Sequence, residues 1–221
     1  MPGSREIIQQ IRKITEIMVG LSLCDHQNFP SLQHEPSGNQ KIGIGAHLHS
    51  GSTLKNVSYD ILYTELCKTQ TYNIKMLDGA LIQMLYHFRN DDLISHRLAF
   101  FPSPVLTEFQ NNPEIYIMEE VYAEVIAKNV VPFPLRFDFD IKNSIDVQHP
   151  KSHLTLGQYM NCRIPVTAPL MPYHFIDFIL RNFYNTAFIR YSDKIPQVEA
   201  NLFTVTITNN EKELIYFNIP R

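Results

Sequence analysis

Ile7, Ile8, Ile11, Ile14, Ile17, Met18 and Leu21 recur three and four residues apart, the spacing of one helical face. Ser4 stands in front of them as a candidate N-cap. An amphipathic helix is predicted over 1–24, ending between Gly20 and Cys24, with Arg5, Gln9, Arg12, Lys13 and Glu16 on its solvated face. Residues 25–40, with Pro30, Pro36 and Gly38, are predicted as a loop or flap. In KIGIGAHLHS, Ile42, Ile44, Ala46 and Leu48 alternate with Gly43, Gly45, His47 and His49, which predicts a short strand carrying two edge histidines. Its GxG lacks the third glycine and following helix of a dinucleotide site.

A helix led by Ser58 is expected over SYDILYTELCKT, followed by strand chemistry in YNIKMLDGALIQMLYHF, with a turn or bulge at Asp78-Gly79. Asn90 to Asp92 closes a hairpin, and LISHRLAFFPSP returns until Pro102 and Pro104 stop it. On that return Arg97 faces away from His96, Leu98 and Phe100. Asn112-Pro113-Glu114 opens a predicted helix through IYIMEEVYAEVIAK, and Pro172 opens a second one through PYHFIDFILRNFYNTAF. NLFTVTIT and ELIYFNIP around the turn NNEK predict a closing hairpin. Strands and helices without regular alternation argue for a single α+β domain over 1–221, a mostly antiparallel sheet flanked by helices.

Composition adds bounds. The 221 residues are 44% hydrophobic and 19% charged, the profile of a chain with a packed core. A net charge of -3 excludes a broadly basic nucleic-acid-binding surface, but not a local groove built from Arg89, Arg97, Arg136 and Arg163. Cys24, Cys67 and Cys162 suit reduced thiols in a cytoplasmic protein. The polar N-terminus and the lack of any apolar run of about 20 residues give no signal peptide and no membrane span.

Chemistry concentrates between Pro132 and Gly157. In LRFDFD, period two sets Arg136, Asp138 and Asp140 on one face and Leu135, Phe137 and Phe139 on the other. The two carboxylates stand about 7 Å apart at Cα, close enough to share a divalent cation or to be neutralised by Arg136. HPKSHLTLG supplies His149 and His153. Pro150 rules against one helix through both, so His149 is placed on a turn and His153 at the start of a strand. In the bland case Arg136 bridges the aspartates and the histidines bond turn carbonyls. In the catalytic case Asp138 and Asp140 with His149 hold Mg²⁺ or Mn²⁺, and His153 moves a proton in phosphodiester hydrolysis. Arg97, Arg136, Tyr159 and Arg163 would then bind substrate. No GxSxG elbow, P-loop or HExxH is present, and Cys162 has no nucleophile signature.

The segments DGALIQMLYHF, HRLAFFPSP, LRFDFD, HPKSHLTLGQYMNCRIP and FIDFILRNFYN, in that order, resemble the bacterial domain-of-unknown-function family numbered twenty-two ninety. The resemblance implies no activity. A looser likeness, to small toxin-like proteins with an Arg–Asp strand followed by histidines, points towards RNA or DNA. The expectation is a cytoplasmic bacterial accessory protein of a multigene system, of defence or toxin–antitoxin type, binding a partner encoded nearby or a nucleic acid. The alternatives are the metal-dependent nuclease above and a structural subunit that docks through its first helix.

Overall fold

The computed structural model describes residues 1–44, 57–104, 133–159, 161–195 and 201–220. The predicted helix from Asn112 and the histidines His47 and His49 lie outside them. Among the described residues nine strands form one antiparallel sheet: β1 (Cys24–Gln27), β2 (Ser31–His34), β3 (Asn39–Gly43), β4 (Ile74–Met76), β5 (Leu81–Arg89), β6 (Asp92–Phe101), β7 (Leu135–Asp140), β8 (Ser152–Leu156) and β9 (Ile164–Pro165). The order runs β1-β4-β5-β6-β7-β8-β9, and the β2–β3 hairpin joins on β5. Helices α1 (Ser4–Gly20), α2 (Tyr59–Thr69), α3 (Pro172–Phe183) and α4 (Asn185–Tyr191) complete an α+β fold.

The apolar stripe of α1 does what its spacing predicts. Ile7, Ile8, Ile11, Ile14 and Met18 are buried against α3 and the β1, β2, β3 and β5 strands. Each such side chain contributes about 1.5–3 kcal/mol by leaving water. This stripe is part of the core, so it is not offered to a partner. Ser4 is not the cap: it is the first helical residue, and its hydroxyl donates to Asp91 Oδ1 at 3.0 Å. Asp91 sits with Asn90 in the two-residue turn between β5 and β6, both at positive φ as a type I′ turn requires. The turn thus delivers a carboxylate to the positive end of α1.

The expected loop at 25–40 instead holds β1, β2 and the start of β3. Its prolines lie between and beside the strands rather than inside them, so they punctuate pairing without preventing it. Gly38, at φ +74, lets the β2–β3 turn close, because a Cβ there would fall 2.1 Å from Asn90 Oδ1.

The last predicted helix is broken in two at Tyr184, whose backbone leaves helical values. Its hydroxyl donates to Asp78 Oδ2 at 2.7 Å in the turn between β4 and β5. Burial raises the Asp78 pKa, and the Tyr184 hydroxyl and the Ala80 N–H oppose that rise. Tyr184→Phe should cost about 1–2 kcal/mol in urea unfolding, by leaving that acceptor short of a donor. Unchanged stability would show that the anchor contributes nothing.

The closing hairpin is also corrected. The 201–208 and 214–219 segments do not pair with each other along their length. They flank the extension of β9: Thr206 N donates to Thr167 O at 2.9 Å, and Phe217 N donates to Pro165 O at 2.8 Å. Backbone donors on both sides of that extension found a third segment to bond, which the alternation of NLFTVTIT could not disclose.

Tyr86, Phe88, Leu98, Phe100, Phe137, Phe139 and Leu154 turn one sheet face into the main core under α1, α3 and α4. Leu81, Ala99 and Phe101 turn the other way and meet Leu66 and Tyr63 of α2. The rest of that second face carries the charges.

Candidate functional site

LRFDFD forms β7 with strictly alternating burial, Leu135, Phe137 and Phe139 inward, so Arg136, Asp138 and Asp140 share the opposite face. The antiparallel register then sets Arg97 of β6, Asp138 of β7 and His153 of β8 side by side, with Ala99, Arg136 and Thr155 in the next row. Neighbouring residues across such strands bring their Cβ atoms within about 5.5 Å. Three charge-bearing groups distant in the chain meet for that reason.

Asp138 is the hub. Arg97 Nε donates to its Oδ1 at 2.9 Å, Arg136 Nε lies 3.6 Å from Oδ2, and His153 Nε2 lies 4.0 Å from Oδ2. Burial alone would raise the Asp138 carboxyl, but Arg97, then Arg136, outweigh it and hold the group at about 2. Asp138 also raises the pKa of Arg97. For Arg136 the balance runs the other way: burial, the largest influence, disfavours its charge, and with repulsion from Arg97 and Arg163 it outweighs the attraction of Asp138. Its Nε is buried with no hydrogen-bond partner. Arg163, immediately before β9, lies near enough to act on both Arg136 and His153.

His153 is oriented by the turn before it. Its Nδ1 lies 2.9 Å from the carbonyl oxygen of Pro150. A carbonyl can only accept, so Nδ1 carries the hydrogen and the lone pair of the neutral ring is on Nε2. Burial lowers the His153 pKa, with His149 and Arg163 adding to the fall while Asp138 opposes it. His149 sits on the turn, its N–H donating to Ile145 O at 2.7 Å, and its ring packs edge-on against that of His153 at 4.9 Å between centroids. The turn and strand positions read from Pro150 are those found.

Asp138, His149, His153, Arg97, Arg136 and Arg163 therefore gather in one place. Asp140 does not join them. Its Oδ1 accepts from the N–H groups of Lys142 and Asn143 at 2.9 and 3.2 Å, and its Oδ2 from the Asn143 amide at 2.6 Å. The strand ends at this residue, so its carboxylate caps the following turn. Among the described residues no three His, Cys, Asp or Glu side chains gather as a metal needs. The expected ligand set of Asp138, Asp140 and His149 is thus not assembled: one carboxylate is held by guanidinium and another by backbone. Tyr159 stands 76% exposed beside Gly157, whose positive φ turns the chain away from β8. Cys162 is spent locally, its sulfur accepting from Leu156 N at 3.4 Å.

The main partner of Asp138 was not anticipated. Strand parity marks Arg97 as facing off the core, but the pairing register that brings it opposite Asp138 leaves no mark in either segment. On the core side, His96 is equally unexpected as a structural centre. Its Nε2 accepts from Leu170 N at 3.1 Å, Tyr86 donates to Leu170 O at 2.8 Å, and burial lowers the His96 pKa to about 4.

Among the described residues no helix is long and apolar enough to cross a membrane. A family model described as an uncharacterized conserved protein (DUF2290) matches residues 23–219, and the chain belongs to that family. No curated protein and no solved structure matches it.

Proposed function

We propose that this DUF2290 member binds nucleic acid, seating a backbone phosphate on Arg136 and Arg163 beside the Arg97–Asp138 pair. One observation carries the reading: Arg97 and Arg136 flank a single carboxylate already bonded to Arg97, and Arg163 adds a further positive charge beside Arg136. A phosphate on the exposed part of Arg136, which keeps 31% of its side chain accessible, supplies the negative charge that one carboxylate leaves unmatched. With a chain charge of -3 overall, the grip is local rather than a basic coat, so few phosphates are engaged.

Binding of a labelled single strand, followed by anisotropy from about 50 to 200 mM salt, tests this. Each phosphate contact contributes about 0.7 to the slope of log K against log salt. Arg163→Gln and Arg136→Gln should each flatten the slope by about that amount and weaken binding. Wild-type slopes in both variants would remove the site from nucleic-acid binding.

A binding protein of this kind suits a cytoplasmic bacterial accessory component of a multigene defence or toxin–antitoxin system. Leu214, Ile215, Tyr216 and Phe217, all exposed and the second of them 90% so, support contact with a protein encoded nearby. Co-purification with neighbouring gene products tests that part. A chain that remains alone when co-expressed with them would count against it.

A further inference from the structure

We propose that the same site cleaves RNA without a metal ion, with His153 as general base and His149 as general acid. The proposal rests on the phosphate reading above and adds chemistry to it. The geometry comes first. Two imidazole rings pack 4.9 Å apart, beside the guanidinium groups that would hold a phosphate. His153 is held by the Pro150 carbonyl in the tautomer whose Nε2 lone pair is free to accept a proton. At 4.0 Å from Asp138 Oδ2, that nitrogen is too far for a direct hydrogen bond, yet near enough for the carboxylate to stabilise the imidazolium as it forms. His153 keeps 5% of its side chain exposed, and Arg136, whose Nε lies 3.6 Å from the same oxygen, keeps 31%. Burial also holds His153 neutral near pH 7, the state a base requires.

The substrate class follows from what the site lacks. With Asp138 committed to Arg97 and Asp140 to its turn, the described side chains provide a base, an acid and cations but no shared carboxylate pair. Such a set suits a nucleophile already attached to the phosphate, where proximity replaces a metal-activated water. The ribose 2′-hydroxyl is that nucleophile. Its proton passes to His153 Nε2 as the O2′–P bond forms. The P–O5′ bond breaks, and the departing 5′-oxygen takes a proton from protonated His149. The products are a 2′,3′-cyclic phosphate and a 5′-hydroxyl. His153 then releases its proton to solvent and His149 regains one. Arg136 and Arg163 stabilise the extra negative charge on phosphorus-bound oxygen in the transition state.

The experiment uses the full chain with a random-sequence RNA pool, the same pool as DNA and as fully 2′-O-methylated RNA, all with EDTA. RNA should be cut to cyclic-phosphate ends, while DNA and methylated RNA are bound and left intact. His153→Gln, prepared in parallel, should lower the rate by about 10²- to 10⁴-fold and still bind methylated RNA. If His153→Gln fails to bind, His149→Gln, at a half-buried turn position, takes its place in the same comparison. Cleavage that equals the variant background, that extends to DNA, or that appears only on adding a divalent metal would overturn the proposal. Binding without cleavage sinks this inference alone. Absence of binding to every strand sinks the phosphate reading and this one with it.

Discussion

Asp138→Ala should lower the unfolding free energy by about 3 kcal/mol, with little change in the urea m-value. Removing the carboxylate strips Arg97 of its 2.9 Å partner and leaves the guanidinium groups of Arg97 and Arg136 without the charge between them. Breaking a buried pair from one side usually costs about 3–5 kcal/mol. Arg97 and Arg136 keep 32% and 31% of their side chains exposed, so water recovers part of that and the lower end applies. Asp138→Asn should fall between wild type and alanine, because the amide oxygen still accepts from Arg97 Nε while the charge is lost. The double variant Arg97→Met, Asp138→Leu should regain much of the loss, since an apolar pair of similar size removes the stranded charge. Chemical denaturation of the four proteins decides it. A double variant no better than Asp138→Ala would mean that packing, not charge, is what Asp138 contributes. The same substitution bears on function in a separable way: it makes the cluster more positive, so phosphate binding should tighten even as the fold weakens.

Stability should also fall by about 3 kcal/mol as pH drops from about 6.5 to about 4, through His96. The unfolded chain protonates this residue near 6.5, while the folded chain excludes the proton until about 4, because charging the ring means charging a buried group. The contribution is complete above the unfolded value and disappears between the two. Protonation would also cost a bond, since Nε2 is the acceptor for Leu170 N and has no lone pair once charged. His153 and His174, both shifted downwards by burial, add to the slope in the same direction. Below 3.8 a separate loss begins as Asp138 takes up its proton, ending near 2. Unfolding curves collected from pH 7 to 4 on wild type and His96→Asn test the assignment. The variant should start less stable and show a shallower decline. Parallel declines in the two proteins would move the effect elsewhere.

How much of this was legible follows from which forces act locally. The stripe on α1, the hairpin of β5 and β6, the two-sided β7 and the turn–strand placement of His149 and His153 all depend on periodicity and on residues a few positions apart. Such patterns are written in the chain, because burial of one face is decided by the side chains on that face. Periodicity failed where pairing partners decide. Residues 25–40 have too weak an alternation to read as strand, and they become strand because β3 and β1 find open edges on β5 and β4. The long predicted helix at 172–188 breaks because Tyr184 is tied to Asp78, 106 positions away. The closing strands part to flank β9 instead of each other.

The site divides along the same line. That Arg136, Asp138 and Asp140 face off the core, and that two histidines follow around a proline, was determined by the sequence alone. Tertiary structure decided that Arg97 takes Asp138, that Asp140 turns back to its own backbone, and that His153 arrives beside the hub with His149 against it. Strand register is the reason. Sliding one strand past its neighbour by two residues keeps every side chain on its face but changes every partner, and only the packing of the whole core selects among those registers.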